Sequence, residues 1–249
     1  MTERRRYAIL PRLGLRPGLR ETVTERLDAA FAALESNRGA GGDASGPMVD
    51  ALDAGCGRRS ALTPYRSRIR RFVGVDIHEP RPGALPHLDS FARVDVCGDA
   101  SQIDDDSFDV VFSSFTVEHF ADPGRAFANF RRWLRPGGRI VLTTVNRRHP
   151  FVRLYLALPR RLQRPLQEQL KASAADAHPL VGICNDPASI RAGLEGAGFV
   201  DVRVDAVPHL SRAWGRRVPF FVLGVLGDLL MQPFVSRRST IVAAGQVAA

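Results

Sequence analysis

Three carboxylates recur at corresponding places in three successive apolar runs: Asp53 in "VDALDAGCG", Asp76 in "RFVGVDI" and Asp99 in "CGDA". Gly55 and Gly57 follow the first of them, and a glycine turn at the end of a strand lets backbone approach a ligand closely. A carboxylate about twenty residues further on can accept both hydroxyls of a ribose, which suits Asp76. Asp99, expected at the next strand end, could accept from an adenine amino group. This is nucleotide-type chemistry, but a dinucleotide fingerprint counted from Gly55 requires Gly or Ala at position 60, where the chain has Ser60. Proton acceptors are few. Glu118 and His119 follow the fourth apolar run in "TVEH", and His149 and His178 lie further along.

The elements that must position these residues can be read from pattern. "RETVTERLDAAFAALESN" spaces Val23, Leu27, Phe31 and Leu34 for a helix, and a Gly/Ser/Pro stretch from Arg38 to Pro47 separates it from the rest. Strands are expected at "VDALDAG", "RFVGVDI", "FARVDV", "SFDVVFSS" and "GRIVLTTV", with a helix entered from the first glycine turn. Alternation of this kind implies a parallel sheet covered on both faces. Asp122 and Pro123 open a helix that Pro136, Gly137 and Gly138 are expected to stop, and Asn185 or Asp186 caps another. Two late strands, "VDVRVDAV" and "STIVAAGQV", flank an apolar run from Val218 to Val235. The organisation expected is a helical extension over 1–45 and a main domain over 46–249 with cap-like insertions at about 147–184 and 208–238.

With 249 residues, 45% of them hydrophobic, one large α/β domain is expected. The formal net charge of +9 rests almost wholly on arginine, since Lys171 is the single lysine. The clusters Arg4 to Arg6, Arg68 to Arg71 and Arg160 to Arg164 lack the interleaved aromatics of single-strand readers, which disfavours nucleic acid. Cys56, Cys97 and Cys184 indicate neither a disulfide framework nor a metal site, and a reducing cytoplasm fits them best. No export signal is read at the N-terminus. The run Val218 to Val235 is too short and too broken by Pro and Gly for a membrane span. It reads either as a buried cap or dimer helix or as an interfacial helix in peripheral contact with a membrane.

"LDAGCG" (Leu52 to Gly57), "GVDI" (Gly74 to Ile77), "GDA" (Gly98 to Ala100), "DDSFDVVFSSFTVEHFADP" (Asp105 to Pro123) and "LRPGGRIVLTT" (Leu134 to Thr144) together resemble the class I S-adenosylmethionine-dependent methyltransferases that act on small molecules, quinones or sterols. The resemblance implies a Rossmann-like α/β fold: a seven-stranded, mostly parallel sheet with helices on both faces and the last strand antiparallel. It implies S-adenosyl-L-methionine as cofactor. Gly55 and Gly57 would then pass close to its methionine part, with Asp53 near the ammonium, Asp76 on the ribose and Ile77 against adenine. Asp99 and Ala100 would flank the adenine, and Ser113 would border the sulfonium. Arg58 and Arg59 depart from the family's usual third glycine. The Asn/Asp-Pro-Pro-aromatic sequence of nucleobase amino-methylating enzymes is replaced here by Ser113-Ser114-Phe115, and no cysteine nucleophile lies nearby. The expected reaction is methyl transfer to oxygen or carbon of a small or lipid-like acceptor, with Glu118 or His119 as candidate base. Competing expectations are a methyltransferase for RNA or another macromolecule, a non-catalytic cofactor-binding or membrane-peripheral protein, and a nicotinamide-dependent oxidoreductase.

Overall fold

Val49 to Ala54 runs from the Gly/Ser/Pro stretch to the glycine turn, and the strand it forms is buried at all six residues. This β1 is a central strand of the computed structural model, which describes residues 6–39, 49–57, 60–79, 85–159, 161–163, 165–166, 181–215 and 217–249. Seven strands, β1 (Val49–Ala54), β2 (Ile69–Asp76), β3 (Ser90–Arg93), β4 (Phe108–Ser114), β5 (Leu134–Val145), β6 (Phe199–Val207) and β7 (Thr240–Val247), form one sheet in the order β3-β2-β1-β4-β5-β7-β6. The pairs among β1 to β5 are parallel, and β7 runs antiparallel to both β5 and β6. This is the Rossmann-like arrangement expected, with β1, β4, β5 and β6 all ending at one edge of the sheet.

Alternation along the strands divides the core. Ala51, Val110, Phe112 and Val141 face α1 (Leu19–Gly39), whose Val23, Leu27, Phe31 and Leu34 are buried against them. The N-terminal helix, placed in sequence before the boundary at residue 45, is therefore in space one cover of the sheet. Leu52, Val111, Ile140 and Leu142 face the other way, onto α2 (Pro123–Trp133) and α4 (Pro187–Gly196). Asp122 caps α2 by accepting from the Arg125 N–H at 2.9 Å. Asp186, not Asn185, caps α4, in a reciprocal capping box with Ser189.

Three local expectations are corrected. Among the described residues the chain does not enter an α-helix from the first glycine turn; the crossover to β2 holds a six-residue 3₁₀ helix, Thr63–Arg68. α1 already covers that face, and Tyr65 stacks on its Phe31 at 4.7 Å between ring centres. Pro136, Gly137 and Gly138 do not stop α2, which ends at Trp133 and passes directly into β5. They form a bulge within β5, between the Leu134–Phe108 and Arg139–Val110 pairings, where Gly137 takes φ +75°. Finally, β3 stops at Arg93, while Val94 and Val96 turn inward as buried residues.

At the N-terminal end of β1, Asp50 is buried and is clasped by Arg70 at 2.6 and 3.0 Å and by Arg135 at 2.9 Å, while Arg135 also reaches Asp109 at 3.0 Å. Burial alone would raise the Asp50 carboxyl, but the hydrogen bonds and charges of the two arginines outweigh it and hold the group below its ordinary value. The stabilisation it provides is thus present above the unfolded carboxylate pKa near 4 and is lost as pH falls through the lower folded value. Arg135→Ala is expected to cost about 3 kcal/mol in urea unfolding at pH 7. The difference from wild type should shrink as pH falls through the lowered folded value of Asp50, beneath which the group is protonated in both states; a constant difference at all pH values would contradict this account.

Candidate active site

Two structural halves meet at the edge where β1, β4, β5 and β6 end. The first is the glycine turn. Gly55 sits at φ +75° and Gly57 at φ +49°, and a side-chain carbon on Gly55 would run into Thr116. The Gly55 and Cys56 N–H groups both donate to the Val75 carbonyl, at 2.7 and 3.2 Å, which ties the turn to the end of β2. There Asp76 accepts from the Gly57 N–H at 3.3 Å and the His78 N–H at 3.0 Å. Ile77 beside it is exposed, an unusual place for a large apolar side chain, and one an aromatic ring can cover.

Asp53 is 1% exposed, and its Oδ2 has no hydrogen-bond partner among the described residues. Burial pushes its carboxyl up to about 7; a hydrogen bond from Ser60 opposes the shift and the nearby Asp76 charge adds to it. One strand over, the Ser113 hydroxyl is also buried without a partner among the described residues. Asp99 lies exposed in the loop after β3 and not at the strand end, and Ala100 next to it is buried. That loop is held by Asn129 of α2, which donates to the Val96 and Gly98 carbonyls at 2.9 and 3.2 Å. Asn129 was missed in the sequence because a polar residue on a helix face has no local signature. These groups fit S-adenosylmethionine: a buried carboxylate with one unpartnered oxygen for an ammonium, a second carboxylate for ribose hydroxyls, and a turn without side chains for close approach. Arg58 and Arg59 lie outside the described residues.

The second half comes from the two insertions. α3 (Pro150–Ala157) follows β5, and α5 (Leu210–Ala213) and α6 (Val218–Met231) follow β6. Each insertion leaves and returns through one staple. The Arg147 N–H donates to the Asn185 carbonyl at 2.8 Å, and the His209 N–H donates to the Ser239 hydroxyl at 2.8 Å. Asp228, which interrupts the apolar run of α6, is buried and accepts from the Leu210 and Ser211 N–H groups at 3.1 and 2.8 Å and from the Ser239 hydroxyl at 3.1 Å. It caps α5 from across the packing interface. Phe151 lies parallel to Trp214 at 6.0 Å, so that α3 and α5 present aromatic surface together.

The candidate bases separate into different roles. Glu118 lies in the 3₁₀ turn Val117–His119, is buried, and accepts from the Thr144 hydroxyl at 2.8 Å, while its carbonyl takes the Val181 and Gly182 N–H groups. Asn185 in turn donates to Thr144 at 3.2 Å. Glu118 thus joins β5 to the returning end of the first insertion. His119 is half-buried on the same turn. His149 is buried; its Nδ1 accepts from the Phe151 N–H at 3.2 Å and caps α3, and burial lowers its pKa despite the nearby Asp228. His178 lies outside the described residues. A histidine that the sequence did not single out lies beside the end of β4: His209 stacks on Phe115, immediately beyond that strand, at 5.9 Å. Desolvation, with a smaller contribution from Arg212, lowers it to about 4, and its Nδ1 is buried without a partner among the described residues. Phe115 itself takes φ +53°, a conformation uncommon for a bulky residue.

Residues 52–142, from the glycine turn through β5, match the family model of a methyltransferase domain. Among curated proteins, the chain is 33% identical over 172 residues to nocamycin O-methyltransferase of Saccharothrix syringae, covering 63% of this chain and 61% of that one. It is 34% identical over 123 residues to malonyl-[acyl-carrier protein] O-methyltransferase of Serratia marcescens, with 47% of each chain covered. The chain thus spans about half to three fifths of the length of these two relatives. Its fold is shared with phosphoethanolamine N-methyltransferase 2 of Haemonchus contortus, solved with phosphomonomethylethanolamine and S-adenosylhomocysteine: TM-score 0.53, 18% identity, 89% of this chain and 53% of that one. Sheet order, glycine turn and matched domain agree, and residues 52–142 form a methyltransferase domain similar to those of the class I S-adenosylmethionine-dependent enzymes.

Proposed function

We propose that this chain transfers a methyl group from S-adenosylmethionine to oxygen or carbon of a small or lipid-like acceptor. The observation that carries the cofactor half is Asp53: a buried carboxylate without a partner on Oδ2, pushed up to about 7 and lying close to a second carboxylate, calls for a cationic ligand. A pyrophosphate would meet both negative charges there, and the helix N-terminus that dinucleotide sites place behind the glycine turn is replaced by a short 3₁₀ helix. When bound, S-adenosylmethionine supplies a methyl group activated on its sulfonium. The chain's own residues then align the acceptor, exclude water, and hold a proton if the acceptor must lose one.

For the acceptor, the support is the aromatic surface of Phe115, Phe151 and Trp214 beyond the strand ends, with His209 stacked on Phe115. The O-methyltransferase relatives named for an antibiotic and a carrier-bound malonyl group agree with an acceptor that is not a nucleic acid. His209, neutral above about pH 4, can accept a hydrogen bond or a proton from an acceptor hydroxyl.

Titration calorimetry with S-adenosylhomocysteine tests the reading before any acceptor is known. Saturable binding should weaken by about 1 to 3 kcal/mol in Asp76→Ala; a folded wild type that binds nothing would remove the proposal. Asp53 also predicts a pH dependence. Below about 7 the free protein holds Asp53 protonated, and the ligand ammonium needs it ionised, so affinity should rise as pH increases from 5 and level off above 7. The slope should approach about tenfold per pH unit, and Asp53→Asn should flatten it. In a screen for transfer of labelled methyl, His209→Phe should lower kcat by about a hundredfold or more for hydroxyl acceptors and leave acceptors that are already anionic nearly unaffected. Equal losses on both would make His209 a packing residue.

A further inference from the structure

Helix α6 buries one face and leaves the other bare. Phe221, Gly224, Gly227, Asp228 and Met231 are turned inward, with Gly224 against the α5 backbone and Gly227 against Leu210 and Phe151. Its outer side exposes Val218, Val222, Leu223, Leu226 and Leu230, the last two more than half exposed, and Phe234 and Val235 continue the surface. The N-terminal 3₁₀ turn Leu10–Leu13 lies alongside: Leu10 and Leu15 pack with Phe221, and the Gln232 amide donates to the Gly14 carbonyl at 2.8 Å. Ile9 and Leu13 on that turn are exposed as well. Both polar side chains that interrupt the apolar run, Asp228 and Gln232, are therefore used for holding neighbouring chain, and the bare face is uninterrupted.

Charge is concentrated on the same two segments. Residues 6–20 and 207–239 carry nine arginines and one acidic residue, the buried Asp228, out of 35 basic and 26 acidic residues in the whole chain; the remainder holds 26 against 25 and is almost neutral. Arg12, Arg16, Arg217 and Arg237 are exposed, and Arg237 reaches over the Phe234 ring at 5.8 Å. A second copy of the chain set against this face would bring like charges together. The helix has 14 residues, about 21 Å at 1.5 Å per residue, and among the described residues no helix is long and apolar enough to cross a membrane. An apolar stripe of this length bordered by arginines matches a helix lying in the plane of an anionic bilayer, its side chains among the upper acyl chains and its guanidinium groups at the phosphates.

We propose that the face built by α6 and the N-terminal turn docks on an anionic lipid surface. Docking concerns the outer side of α6 and does not depend on which acceptor, if any, the site methylates. The test is flotation of the full chain with vesicles of phosphatidylcholine alone and with a third of phosphatidylglycerol, at low and high salt. The expected result is binding to the anionic vesicles that falls with salt, weakens roughly tenfold or more in Arg217→Gln/Arg237→Gln, and is lost in Leu226→Glu/Leu230→Glu. Both pairs are on the surface, so their melting temperature and S-adenosylhomocysteine binding should match wild type; this separates failure here from failure of the cofactor assignment. Absence of flotation with anionic vesicles, equal flotation with both lipids, or flotation unaffected by the glutamate pair would overturn the proposal. A concentration-dependent dimer that the glutamate pair dissolves would assign the face to a second copy instead.

Discussion

A strand buried along its whole length cannot carry charge without consequence, and β1 carries two carboxylates three residues apart. Asp50 is compensated on the spot by Arg70 and Arg135, which keeps it ionised and fastens β1 to the start of β2, β4 and β5. Asp53 is not compensated: Ser60 alone relieves it, and Asp76 makes matters worse. The free energy of leaving a buried acid so poorly satisfied is tolerable only because the rest of β1 is so firmly placed, and on the proposed function it is recovered when the ammonium of the cofactor arrives. One end of the strand therefore serves folding and, on the proposed function, the other serves ligand; the sheet order that puts β1 between β2 and β4 lets both neighbours contribute to each end.

The acceptor side follows a different logic, with side chains that look anomalous in sequence holding its pieces together. Asp228 in an apolar helix is an N-terminal cap for α5, Glu118 secures the returning end of the first insertion, and Asn146 fixes the second through the Ser236 and Arg238 carbonyls at 3.0 and 2.7 Å. These polar anchors are buried, so losing Asp228 or Asn146 leaves backbone groups, and losing Glu118 the Thr144 hydroxyl, without that partner. They free the aromatic side chains around Phe115 from a load-carrying role and leave them available as surface.

Much of the cofactor half was legible because its signals are local. A glycine turn, a carboxylate ending an apolar run, and an Asp-Pro cap each declare themselves within a few residues, and they appear where Gly55, Asp76 and Asp122 predict. What was misread depended on distant chain. The first crossover is too short for a helix because α1, from before β1, already occupies that face. The Pro-Gly-Gly run reads as a helix stop, but Leu134 pairs with Phe108 first, which turns it into a bulge. His209 and Asn129 have no pattern around them; only the sheet order shows that one meets Phe115 and the other the loop before Ala100.

Both insertions begin and end within hydrogen-bond distance of themselves, one at Arg147 and Asn185 and the other at His209 and Ser239. A loop whose ends are already closed can change in length at a cost that grows only logarithmically. The two segments are accordingly replaceable parts: evolution or an engineer can rewrite them between their staples without disturbing a strand, a pairing register or any of the carboxylates at the glycine turn. On the proposed function, acceptor choice in this chain is inherited separately from its cofactor chemistry.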